Sequence, residues 1–201
     1  MPSFWETIDV NGIEMNAYVS VPEGDGPFPA VVVAHHAPGV DKFMQDITNK
    51  LSSSGYASVA PDFFHRITDE MVMSTGKSKR DQLDDSLITT DIDATVGFLA
   101  GNSSIDPDRI GVTGFCMGGR VTWLAAATNR AFKAAVPYYG GNIMVPWGNT
   151  TQSPLSMTAG IKCPVLFHFG EIDENPSQDD MLILDKALNA NSFPHQFYPY
   201  P

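Results

Sequence analysis

The stretch GFCMGG, Gly114 to Gly119, sets a cysteine between glycines two positions to either side, after the β-rich run RIGVT and before the helix-like RVTWLAAA. Gly114-x-Cys116-x-Gly118 has the spacing of a nucleophile elbow, a sharp strand-to-helix turn that exposes one side chain. The glycines follow from the chemistry: the central residue is strained, and bulky side chains two positions away would collide with neighbouring backbone. A helix beginning at Cys116 also presents unpaired N–H groups and partial positive charge, which favour a thiolate and a developing oxyanion. The competing reading is a small buried cysteine in a Gly-rich turn, since free cysteine is among the most buried residue types.

A nucleophilic thiol needs a base and a group to orient that base. Asp173, in GEIDENP just past a strand-like run, can reach an imidazole from the carboxyl end of a sheet, or it can make a local Asx-turn. Five histidines are present, His35, His36, His65, His168 and His195, and only His195 follows Asp173. His195 opens an apparent strand and so sits at its wrong end for catalysis, and we read it, with His168, as structural. Adjacent His35 and His36 point to opposite sides of a strand and make a poor metal pair. No metal and no cofactor are expected.

These residues must be positioned by regular elements. IEMNAYVSV alternates as a strand, and the apolar run Ala30 to Ala34 reads as a strand covered on both faces. From Asp41, a candidate N-cap, Phe43, Ile47 and Leu51 recur until Gly55 stops the pattern. YASVAPDF is a further strand, and Leu83, Leu87, Ile92, Val96 and Leu99 mark a long helix. RIGVTGF enters the helix after Cys116, then come strands FKAAVPYYG and CPVLFHFG, a helix on Met181, Leu184 and Leu188, and a last strand HQFYPY. Strands alternating with helices imply a mostly parallel sheet with helices on both faces and an active site at the strands' carboxyl ends. The Gly-, Pro- and Ser-rich segment GGNIMVPWGNTTQSPLSMTAG reads as a pocket-rim loop.

The chain has 201 residues, which suits one α/β domain over 1–201. Twelve basic against 23 acidic residues give a formal charge of −11, a surface that repels phosphate backbones and anionic lipid. Nucleic-acid and membrane partners are therefore not expected. Two cysteines, Cys116 and Cys163, are too few and too far apart for a disulfide framework, and the N-terminus lacks a basic region followed by an apolar run. A cytoplasmic, reduced protein, monomeric or dimeric, is the expectation.

DPDRIGVTGFCMGGR, YASVAPDFFHR, YYGG and CPVLFHFGEIDENP, in this order, make the chain resemble the dienelactone hydrolase family of the α/β-hydrolase superfamily, from about Ile13 to Pro201. The resemblance implies an α/β-hydrolase fold, with Cys116 as nucleophile and Asp173 as the acid that orients a histidine. With the topology it also implies an oxyanion hole made by the backbone N–H groups of Met117 and Ala37. In that family the histidine lies in a Gly-His loop after a strand ending in something like FYPY, so the resemblance implies a chain cut short just before its base, with the C-terminal part of the fold missing. The family usually has a glutamate where this sequence has His36. An imidazolium near the nucleophile would favour the thiolate that a carboxylate disfavours; alternatively, His36 fills the loop and bonds backbone. Arg80 and Arg66 lie in segments expected near the pocket and are candidates to bind a substrate carboxylate.

The implied reaction is hydrolysis of a small-molecule activated ester or enol-lactone through a thioester. Two rival readings are a non-catalytic binding protein on the same fold, motivated by the absent histidine and the altered glutamate, and a thiol redox protein using Cys116 and Cys163. Against the second, the sequence has no C-x-x-C, and Cys163 begins a core strand.

Overall fold

The computed structural model describes residues 2–201. One sheet contains β1 (Ser3–Val10), β2 (Ile13–Ser20), β3 (Phe28–Ala34), β4 (Ala57–Pro61), β5 (Ile105–Phe115), β6 (Phe132–Tyr138), β7 (Val165–Gly170) and β8 (His195–Tyr200). Its order is β1-β2-β4-β3-β5-β6-β7-β8. The six strands from β4 to β8 along that order run parallel, and β1 and β2 are antiparallel additions at one edge. The expected mostly parallel sheet is present.

β1 was not legible as a strand, because six of its eight residues are exposed and only Ile8 and Val10 are buried. The signal that marks it is the turn. Asn11 (φ 55°) and Gly12 (φ 84°) both lie in the left-handed region, as a tight hairpin between the Val10 and Ile13 pair requires.

The helices are α1 (Lys42–Ser53), α2 (Asp69–Thr75), α3 (Asp85–Ala100), α4 (Met117–Thr128) and α5 (Gln178–Asn189). α3, α4 and α5 share one core with inward residues of the sheet such as Val32, Val112, Ala135 and Phe167. α4 runs through its centre, buried from Met117 to Ala126, as a helix apolar on nearly every side must be.

α1 covers the opposite face over Val33 and Ala60. Asp41 caps it as expected, accepting from the Met44 N–H at 3.1 Å. Its innermost face, however, is Met44, Thr48 and Ser52, and Phe43 is 43% exposed. Small polar residues let the helix approach β4 closely: Thr48 Oγ1 donates to Met44 O, and Ser58 Oγ on β4 donates to Thr48 O at 2.7 Å.

Beyond α1 this face continues as a row of rings across the parallel strands. Phe115 stacks on Tyr138 (centroids 4.7 Å apart) and Tyr138 on His168 (4.5 Å), with Tyr198 and Tyr200 following on β8. A cavity of about 480 Å³ runs along it, past Thr113, Val136 and Tyr138. It lies on the flank of the sheet and not at the strands' carboxyl ends.

Candidate active site

The chain leaves β3 through α1 to β4 on one side and then adds β5 on the other, so the strand order reverses at β3 and β5. In open α/β sheets the crevice at the carboxyl ends of such strands is where ligands bind. The loop that starts at His35 leaves β3 there, and Cys116 follows β5. Ala34 and Gly114 pair across the two strands, so loop and elbow stand side by side.

Cys116 is exposed and has φ 56° and ψ −118°, a strained backbone for a residue with a side chain. Its N–H donates to Tyr138 O at 3.1 Å, and its carbonyl accepts from Gly119 and Arg120 as α4 begins. The glycines are there because backbone fills the space around them. A Cβ on Gly118 would land on the Ala34 carbonyl, one on Gly114 on the Gly118 carbonyl, and one on Gly119 on the Tyr138 carbonyl. Met117 is the first residue of α4, where N–H groups have no partner within the helix.

Asp173 follows β7. One of its carboxylate oxygens accepts from the Gly170 N–H at 2.8 Å, and its own N–H donates back to Gly170 O at 3.2 Å. The local turn and the position at a carboxyl end are thus both present. Tyr139, at the end of the intervening β6, has φ 39° and a phenol pushed above its ordinary range, first by burial and then by the Cys116 thiol and the Asp173 carboxylate. Both groups thus act electrostatically on one tyrosine, which the sequence reading does not single out.

His35 and His36 do point to opposite sides. His35 is fully buried and kept neutral, with burial depressing its basicity. His36 turns toward the start of α1: its buried Nε2 is 2.9 Å from Asp41 Oδ1, within ion-pair range though off the line of a hydrogen bond, and its ring lies 5.5 Å from that of Phe43. Asp41 is held below the ordinary carboxylate range although desolvation opposes it, by the Met44 N–H and by His36.

The other imidazoles are engaged elsewhere. His65 bonds Glu14 O and Asp91. His168 packs in the ring row and bonds the Tyr200 hydroxyl. His195 opens β8, at the end of the sheet opposite Cys116, where it bonds Phe193 O and Asp185.

The two arginines separate. Arg66 Nη1 donates to both oxygens of buried Asp91, at 2.6 and 2.9 Å, and its role there is structural. Arg80 is exposed, pairs with Asp81, and lines a cavity of about 240 Å³ with Asn142 and Trp147. That cavity borders the rim segment, which is more firmly held than its composition suggests. Arg120, fully buried one turn into α4, grips Asp85 through two bonds and also donates to Asn142 O and Val145 O, with its guanidinium 3.7 Å from the Trp147 ring centre. Trp147 N–H donates to Asp85 in turn, and Asn149 N–H to Asp84. Asn142 and Asn175 exchange two further bonds that tie the rim to the loop carrying Asp173.

Cys163 is buried, unpaired, and pushed up to about 11 by burial, which leaves it inert at neutral pH. No helix among the described residues is long and apolar enough to cross a membrane.

Known proteins share this sequence and arrangement. Residues 15–201 match the dienelactone hydrolase family. A "Putative carboxymethylenebutenolidase" of Methylorubrum extorquens is 33% identical over 192 residues, which are 92% of this chain and 65% of that protein. A "Probable 2-oxo-3-(5-oxofuran-2-ylidene)propanoate lactonase" of Bradyrhizobium is 30% identical, over 90% of this chain and 73% of its own. The crystal structure of a "Putative Dienelactone Hydrolase" from Klebsiella pneumoniae superposes with a TM-score of 0.87 at 30% identity, covering 100% of this chain and 85% of that one.

Proposed function

The chain belongs to the dienelactone hydrolase family and has an α/β-hydrolase fold, and from that premise we propose that it opens activated carboxylic esters or enol-lactones through a thioester on Cys116. The observation that carries this reading is the backbone of Cys116, an exposed thiol held at φ 56° on the N-terminus of α4, at the sheet's switch point. Strain of that kind costs of order 1–3 kcal/mol and persists where surrounding structure imposes it.

In the proposed reaction the Cys116 thiolate attacks the carbonyl carbon, and the carbonyl oxygen takes up the charge. Met117 and Ala37 N–H groups receive that oxyanion, Met117 with the help of the α4 dipole. Collapse expels the leaving group and leaves an acyl thioester that water then hydrolyses; Asp173 is the candidate to orient the histidine base that the family resemblance implies, while each of the five histidines described here is engaged elsewhere. Arg80, at the rim cavity, is the candidate to hold a substrate carboxylate.

Sulfur as nucleophile selects the substrate. A thiol has a pKa of about 8.5, whereas water, to which a simple alcohol is close, lies near 15.7. A tetrahedral intermediate therefore returns thiolate unless the other leaving group is also weakly basic. Enolates and phenolates satisfy this, and alkoxides and amines do not. The lactonase and carboxymethylenebutenolidase names of the relatives agree with such substrates.

The alternative, a non-catalytic binding protein, draws on the engagement of all five imidazoles in other contacts. Mixing the protein with 4-nitrophenyl acetate separates the two readings. The hydrolase reading expects nitrophenolate release that Cys116→Ala abolishes, and the binding-protein reading expects none from either protein.

A further inference from the structure

A fully buried imidazole, with both ring nitrogens bonded to main chain, lies at the base of the loop that follows β3. His35, the first residue after β3, is 0% exposed and packs between Phe63 and Phe64, with ring centroids at 5.3 and 4.8 Å. Its Nε2 lies 3.0 Å from the Phe63 N–H and accepts from it, so the ring's proton is on Nδ1. Nδ1–H then donates to the carbonyl of His36 at 2.7 Å. The same carbonyl accepts from Gly39 N–H at 2.9 Å, where Gly39 takes φ 93° to close the turn.

That carbonyl belongs to the peptide whose N–H is Ala37's. The His36–Ala37 bond is trans, so its C=O and N–H point in opposite directions within one plane. Fixing the oxygen with two donors fixes the direction of the N–H. We propose that His35 is a positioning residue for the oxyanion hole: its Nδ1–H clamps the His36 carbonyl and so holds the Ala37 N–H in the orientation that receives the developing charge. His35 touches neither substrate nor thiol, and it acts through a peptide plane.

Neutral His35 suits the role. Burial depresses its basicity, so the nitrogen facing Phe63 stays free to accept. Asp62 Oδ1, 3.8 Å from Nε2, is itself engaged by the Phe64 N–H at 2.9 Å.

This inference rests on the reading of Cys116 as nucleophile, and its test keeps the two apart. The readout is the pre-steady-state burst of nitrophenolate from 4-nitrophenyl acetate, which reports acylation alone. His35→Leu removes both imidazole bonds, and His35→Asn restores an N–H donor near the position of Nδ1. Loss of one well-aimed oxyanion donor costs about 10²-fold. The leucine variant should therefore acylate about 10²-fold more slowly at saturation, with the half-saturating concentration changed by less than about threefold, since ground-state binding is untouched. The asparagine variant should recover to within about tenfold of wild type.

A merely structural His35 would leave the saturating rate of every folded variant unchanged. A leucine variant acylating at the wild-type rate, or an asparagine variant no faster than leucine with both folded, overturns the proposal. Should the leucine variant fail to fold, His35→Gln, whose amide reaches toward the Nε2 position and leaves the His36 carbonyl without its imidazole donor, takes its place: a saturating rate at least about tenfold below the asparagine variant's supports positioning, and an equal rate overturns it. A full burst from Cys116→Ala would instead sink the nucleophile reading, whatever the His35 variants do.

Discussion

The α-carbon of Gly118 sits against the carbonyl of Ala34, with no room between them for a side chain. That contact locks the end of β3 onto the first turn of α4, and so places the loop from His35 beside the elbow that carries Cys116. Gly118→Ala would force rigid backbone apart on both sides. We expect a loss on the order of 3 kcal/mol in urea unfolding, together with slower reaction of Cys116 with alkylating agents. Unchanged stability and thiol reactivity would show that the two elements are not coupled there.

The two thiols should behave oppositely. Cys116 is exposed, whereas Cys163 is 1% exposed with its thiol pushed up to about 11. Iodoacetamide at pH 8 on the native protein should add one carbamidomethyl group, on Cys116, and a second only after denaturation. Peptide mapping reads the site directly, and rapid native labelling of Cys163 would contradict the packing described.

Arg120 and Asp85 form a pair buried to 0% and 2% exposure, on which the rim from Asn142 to Trp147 hangs. Removing one partner strands the other charge. Arg120→Ala should cost about 3–5 kcal/mol and raise hydrogen exchange across 142–149. A loss below about 1 kcal/mol, typical of exposed pairs, with unchanged exchange would mean the rim is held by something else.

His35 gives the fold a pH dependence of known sign. Its basicity is depressed in the folded protein, from about 6.5 for a free imidazole. The unfolded chain therefore binds more protons between the two values, and stability present above about pH 6.5 is lost as pH falls toward and through the lower, folded pKa. Asp41 and Asp84 are also held low, but their losses set in below about pH 4. His168, likewise depressed by burial, is present in both proteins compared. Urea midpoints at pH 7.5 and 5.0 should fall further for wild type than for His35→Asn. Parallel declines would contradict a neutral, buried His35.

Local pattern carried most of the architecture, because the parallel strands stand out largely as apolar runs and the amphipathic helices α1, α3 and α5 as periods, whereas α2, with no buried residue, gives no such signal. Cys116 was legible for the same reason, since its glycines are local requirements. The period in α1 marks only part of its buried face: Ile47 and Leu51 pack against the core but Phe43 is exposed, and the residues nearest the sheet are Met44 with Thr48 and Ser52, the last two small enough to let the helix approach closely. Arg66 was a candidate for substrate binding only until Asp91, 25 residues away, claimed it. Arg120, Tyr139 and the clamp made by His35 gave no signal of their own, because each acts through partners distant in sequence or through main-chain atoms. Met117 and Ala37 are donors through their backbone, which any residue supplies, so only topology could point to them.

The central claim is a covalent thioester on Cys116. Mass spectrometry of the protein quenched within seconds of mixing with 4-nitrophenyl acetate tests it most directly. The account predicts one acetyl group per chain, mapped to the peptide containing Cys116, removed by neutral hydroxylamine and absent from Cys116→Ala. Nitrophenolate release that continues undiminished in Cys116→Ala, or an acetyl group mapped to another residue, would contradict it.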